Sequence, residues 1–352
     1  MCHTTHVTAI GPSKFRVMAL LASLMLCVAP RVATAQEAPD ELEVVVVSGR
    51  QPGPPLWKVT HGENTLWILP LVPVVPEDLD WDDRRVASVI AASEEVIDPP
   101  GVSIGVSKLL LLNPVNWVRG PRLYKRLSHN AGQKTLREVL PADSWERFAA
   151  LQQRYFPRDP DFNALRPAFA VTVMNNSILK SEGLSDPREI ERRVEKLIGR
   201  QPSLRRTRVE IEEQMQGSYG ELSARLERLV DSLPADDELA CFDTQMELFE
   251  SHLEDMKRVA NAWALGKARD MQSFSSLGDL HDPCTRLMLG SSEGGYMQRL
   301  NEQSTRRWLQ AVDVALANNR STFAMLPMIR IAGPLSLIDQ LEARGYEVLA
   351  PQ

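Results

Sequence analysis

Beyond its first 35 residues the chain offers few side chains for catalysis: four histidines (His61, His129, His252 and His281) and two cysteines, Cys241 and Cys284. His252 and Asp255 stand three apart in a charged helical stretch with Glu247 and Glu254 nearby, a spacing that puts possible ligands on one face, but such pairs are common on solvated helices. His281-Asp282-Pro283-Cys284 places an imidazole near a thiol. The Asp-Pro step there reads as a helix start and not as a nucleophile's frame. His61 falls in a turn and His129 in a loop beside Ser128, Asn130 and Gly132. There is no Gly-x-Ser-x-Gly elbow, phosphate loop or dinucleotide fingerprint. The Gly/Ser-rich stretch 290–295 has no strand before it, so it reads as a loop between helices. These observations assign no catalytic residue, no metal ligand and no cofactor.

The elements that could frame a site lie at both ends of the chain. Residues 56–60 and 65–69 predict a hairpin joined by a four-residue loop, with Gly62 free to take positive φ. A helix follows over 80–93, with Val86, Val89 and Ile90 on one face, and then a strand over 95–98, giving a β-α-β start. The C-terminal end repeats the logic: strand 322–326, turn, helix 335–344 closed by Gly345, strand 346–349. Between the ends the pattern is mostly helical, over 142–155, 168–181, 187–198, 219–233, 236–264 and 302–318, with one strand around Thr207, Val209 and Ile211. The expected fold is mixed α/β and helix-rich, with a small mixed sheet from the terminal strand-turn-helix motifs and a large helical middle.

The two ends resemble those of the TraB/GumN family, relatives of the TIKI proteases. Its opening pattern is matched by Leu56-Trp57-Lys58-Val59, Gly62 and Thr65-Leu66-Trp67-Ile68-Leu69. Its closing pattern is matched by Phe323-Ala324-Met325-Leu326, Leu337-Ile338, Leu341 and Arg344-Gly345-Tyr346-Glu347-Val348, and Ala262-Trp263 with Gly266 resembles a helical segment between. The resemblance implies an α/β core whose halves each offer a strand-end histidine, in a Gly-x-x-His turn, to a shared site; some members act as metal-dependent proteases. Carried onto this chain, the first turn reads Pro70-Leu71-Val72-Pro73 and the second Pro327-Met328-Ile329-Arg330. Proline has no ligating side-chain atom and a fixed φ that excludes a positive-φ turn. A permanently charged guanidinium cannot coordinate a cation. The family's acidic residue falls at or beside Asp98, and its Arg-Asn pair near Ser304-Thr305, where it is absent. By the resemblance, Pro70, Pro73, Asp98, Pro327 and Arg330 outline a vestigial ligand pocket with no metal and no cofactor, in which Arg330 could bind a carboxylate or phosphate; pairing with Asp98 or another acid is the plainer alternative.

Composition bounds the setting. Lys14 and Arg16, the apolar run 17–28 and Ala33-Thr34-Ala35 form an export signal with cleavage expected after Ala35. Its twelve apolar-run residues are too few to span a bilayer core needing about 20. Residues 36–54 read as a flexible lead-in, with an edge strand possible at 44–47, and 55–352 as the TraB/GumN-like domain. Cleavage removes three of the 40 basic residues and none of the 46 acidic ones, so 37 less 46 gives a net charge of −9. Such a balance argues against nucleic acid or an anionic membrane as partner, and the Arg205-Arg206 and Arg306-Arg307 clusters read as solvated faces. Cys241 and Cys284 form an even pair in an oxidising compartment, expected as a disulfide, with two buried thiols the alternative. The expected protein is periplasmic or secreted, without a transmembrane segment after cleavage. Three functions fit it: a non-catalytic pseudoenzyme binding an envelope protein or small ligand, a hydrolase using substitute metal ligands, or an envelope assembly factor.

Overall fold

The computed structural model describes residues 46, 49–157, 161–271, 283, 284, 286, 287, 295–332 and 336–351. The export signal, lead-in residues 36–45, 47 and 48, His281 and residues 290–294 of the Gly/Ser stretch lie outside the described residues. The fold is mixed α/β and helix-rich, as expected. Its centre is a six-stranded sheet in the order Glu347–Leu349, Trp57–His61, Asn64–Leu71, Ser321–Pro327, Glu95–Ile97, Arg205–Thr207. The first two neighbouring pairs are antiparallel and the other three parallel.

The hairpin forms, but with a tighter turn than the sequence suggested. His61 pairs directly with Asn64, leaving Gly62 and Glu63 as a two-residue turn with Gly62 at φ +61°. The strand Ser321–Pro327 inserts between Asn64–Leu71 and Glu95–Ile97, so the opening strands of the β-α-β unit are not neighbours. That insertion explains the composition of Ser321–Pro327. Thr322, Phe323, Ala324, Met325 and Leu326 are all buried in one unbroken run, as a parallel strand covered on both faces requires.

The helical middle departs from expectation in three places. The helix expected over 236–264 is two helices, Ala235–Ser251 and Leu253–Ala264, broken at His252 with φ −124° and ψ 8°. The single strand expected near Val209 is two, Arg205–Thr207 in the main sheet and Ile211–Met215 in a parallel pair with Val102–Val106. A helix over Pro114–Ser128 was not signalled, because Gly120 and Pro121 sit in its interior. It starts cleanly all the same: Asn113 Oδ1 accepts from Val115 N at 3.0 Å, and Pro114 takes the first turn. Cys241 and Cys284 are disulfide-bonded, and closing that loop of 43 residues stabilises the fold by roughly 4 kcal/mol on the chain-entropy model. Among the described residues no helix is long and apolar enough to cross a membrane.

Candidate functional site

Four parallel strands point their carboxyl ends the same way: Asn64–Leu71, Ser321–Pro327, Glu95–Ile97 and Arg205–Thr207. The residues that follow them gather along one edge, the place where open parallel sheets bind ligands. The register sets Pro70 opposite Leu326 and Leu71 opposite Pro327. The two proline-bearing stretches are thus adjacent across the sheet.

Pro70 and Pro327, expected in the turns, are instead strand residues. The lost N–H explains why Pro70 is tolerated. A residue's N–H and C=O face the same side of a strand, and the antiparallel neighbour ends at Trp57 opposite Ile68. No ladder bond is required of Pro70 on that side. Its carbonyl accepts from Trp263 Nε1 at 2.8 Å, which ties the helix Leu253–Ala264 to the strand end. Trp263 is fully buried and meets Trp81 edge to face at 5.7 Å. Pro73, in contrast, is exposed. It lies on the wall of a groove of about 910 Å³, whose apolar surface includes Val171, Leu179, Leu184, Leu248 and Met256.

Asp98 and Arg330 do not meet. Asp98 receives Arg206 Nε at 2.8 Å, and the remaining nitrogens of the same guanidinium bond Glu195 at 2.8 and 2.9 Å. Those hydrogen bonds, Glu195 first and Asp98 second, raise the Arg206 pKa above its ordinary value. Arg330 sits on the single 3-10 turn Met328–Arg330 and donates to Thr305 Oγ1 on the helix Tyr296–Asn318. Burial pushes its pKa below the ordinary arginine value, though a guanidinium stays charged at any physiological pH. Among the described residues no carboxylate pairs with it. Next to Thr305, the fully buried Ser304 accepts from Gly101 N at 2.8 Å and donates to Val209 C=O at 3.0 Å, stapling this helix to the same edge.

The histidines are dispersed. His61 is exposed at the hairpin tip against Tyr346, His129 lies beside the Ser128 hydroxyl, and His252 caps two helices with Nδ1 at 3.4 Å from Asp255. Among the described residues no three His, Cys, Asp or Glu side chains are grouped to hold a metal ion. The positions that would have to ligate one carry Pro73 and Arg330, and Asp98 is held by a cation. The donor set does not fit a metal. Sequence reading missed Arg206, taken there as a solvated charge, and the Trp263 clamp. It did mark Ser304-Thr305, only as a place where a family pair is absent.

A helix-rich α/β protein with its candidate site on the carboxyl edge of a partly parallel sheet is the class that this architecture defines. A family model for the TraB/PrgY/gumN family matches residues 55–350, and the chain belongs to that family. No curated protein and no solved structure shows a significant match to it.

Proposed function

We propose that this chain is an exported, non-catalytic member of the family that binds a small ligand bearing a carboxylate or phosphate at the carboxyl edge of its sheet. One observation carries the reading. Arg330 is partly buried there with a hydroxyl for company and no carboxylate among the described residues. A charge drawn partly out of water is normally paired, so a guanidinium left open at such a sheet edge is best completed by an anion from outside. Arg330 supplies charge and a planar fork of donors, and Thr305 fixes its orientation.

Thermal unfolding with inorganic phosphate and, separately, acetate as probes tests this. The wild-type protein should gain stability with anion concentration, about 2.7 kcal/mol at a hundredfold excess over Kd. Arg330→Met should not respond. An equal response in both proteins, or none in either, defeats the anion assignment. Stoichiometric zinc, manganese or cobalt in protein isolated from cells would defeat the non-catalytic assignment and favour a hydrolase with substitute ligands. Cleavage after Ala35 is checked by mass spectrometry of the intact exported protein.

A further inference from the structure

Seven of the ten strongly exposed large hydrophobic side chains among the described residues fall between Ile104 and Tyr124. Leu112 is 71% exposed, Trp117 66%, Val118 60% and Tyr124 58%. Most stand on the helix Pro114–Ser128, which packs against the helix Tyr219–Asp231. Leu123 and Leu127 turn toward the protein, so Val118, Pro121, Arg122 and Lys125 share the outward face at helical spacing. Trp117 and Tyr124 flank that face on one side and Val115 on the other.

Charge on this segment runs against the rest of the chain. Between Pro99 and Arg137 there are seven basic residues (Lys108, Arg119, Arg122, Lys125, Arg126, Lys134 and Arg137) and no acid, in a protein of net charge −6. Arg126 is neutralised across the helix pair by Glu227 at 2.7 Å. Lys108, Arg122 and Lys125 have no carboxylate partner among the described residues.

We propose that the helix Pro114–Ser128, with Leu112 ahead of it, is an in-plane docking surface for an anionic phospholipid bilayer. An interfacial helix combines exposed apolar side chains, aromatic residues with a polar tip and interspersed Lys/Arg, and this face carries all three. A protein partner is the poorer fit, because the centres of protein interfaces are depleted in lysine, whereas Lys125 stands in the middle of this face. The net charge that argues against anionic membranes is an average over the whole surface. The field near a bilayer decays within a Debye length of about 8 Å at physiological ionic strength, so the side that approaches decides, and an otherwise acidic body orients it. The inference is independent of Arg330 and its ligand.

Vesicle co-sedimentation of the exported protein tests it, with phosphatidylcholine vesicles compared with phosphatidylcholine mixed with phosphatidylglycerol. Binding should be stronger on the mixture and weaken as salt is raised. Val118→Glu should reduce it by roughly tenfold or more. Each of Arg122→Gln and Lys125→Gln should cost about fivefold on the anionic vesicles only. Val314→Glu, a matched change at an exposed position of another helix, should bind as wild type. All four changes are at exposed positions, and circular dichroism melts verify that each variant is folded. Absence of a phosphatidylglycerol preference, or full binding by Val118→Glu, overturns the proposal. So does a concentration-dependent increase in mass by light scattering that Val118→Glu abolishes without any vesicle binding, which would make this face a contact between copies.

Discussion

The two ends of the parallel strands treat a charge removed from open water in opposite ways. At the amino end Glu95 is 4% exposed and accepts from Arg205 at 2.7 Å, from Asn319 at 2.6 Å and from the Thr207 hydroxyl. At the carboxyl end Arg330 has one hydroxyl and no acid among the described residues. The first arrangement leaves no capacity for a ligand and reads as a staple across three strands. The second leaves the charge without an acid among the described residues and ties it only to Thr305. A charge retained under those conditions marks the end of the sheet where recognition is to be sought.

The largest effect expected from this contrast is at Glu95. Glu95→Ala strips Asn319, Arg205 and Thr207 of a shared acceptor, and urea unfolding should show a loss of about 3 kcal/mol. A loss under about 1 kcal/mol would mean that the amino end is no better satisfied than the carboxyl end, and the comparison would fail. The same residue sets an acid limit. Burial pushes the Glu95 pKa up, but the hydrogen bonds from Arg205, Thr207 and Asn319 outweigh it, and the net value lies below the ordinary 4.5. The unfolded chain therefore binds the proton more readily. The stabilisation is complete above about pH 4.5 and is lost as pH falls through the depressed folded value. Glu95→Gln should flatten that part of the stability profile.

Arg330 should respond with the opposite sign. Arg330→Met removes a charge that no carboxylate offsets and replaces it with an apolar chain of similar length. Without added anion it should leave stability unchanged or raise it by about 1 kcal/mol, while abolishing the response to phosphate. A loss of several kcal/mol would show that the guanidinium is a structural tie after all, and the contrast between the two ends would dissolve.

Much of this contrast was legible in the chain, and the illegible parts have physical causes. The hairpin, the strand 321–327 and most helices declare themselves through local periodicity, and Ala142–Tyr155 has the expected bounds. Sheet order does not, because insertion of Ser321–Pro327 between Asn64–Leu71 and Glu95–Ile97 depends on contacts more than 200 residues apart. The break at His252 carries neither glycine nor proline, so nothing in the local sequence announces it. Pro70 looked like a turn residue because the rule against proline in strands assumes a ladder partner, and here the neighbouring strand has already ended. Arg205 and Arg206 read as solvated charges since nothing local announces Glu95, Asp98 or Glu195 as their partners.

Asp98 gives the smallest and most discriminating effect, because it stands at the carboxyl end yet is already paired. Arg206 holds it at 2.8 Å but keeps Glu195 at the same distance on its other nitrogens. Removing one of two acids on a partly exposed guanidinium leaves the cation compensated, so Asp98→Ala should cost only about 0.5–1 kcal/mol. The anion response through Arg330 should persist in this variant, since the two side chains share no hydrogen bond. If instead a metal-dependent hydrolytic turnover exists, survives His61→Ala and disappears with Asp98→Ala while the protein stays folded, then Asp98 is serving chemistry that its pairing with Arg206 hides. That pattern would move the carboxyl edge from recognition to catalysis. Turnover unchanged by Asp98→Ala would point away from this edge entirely.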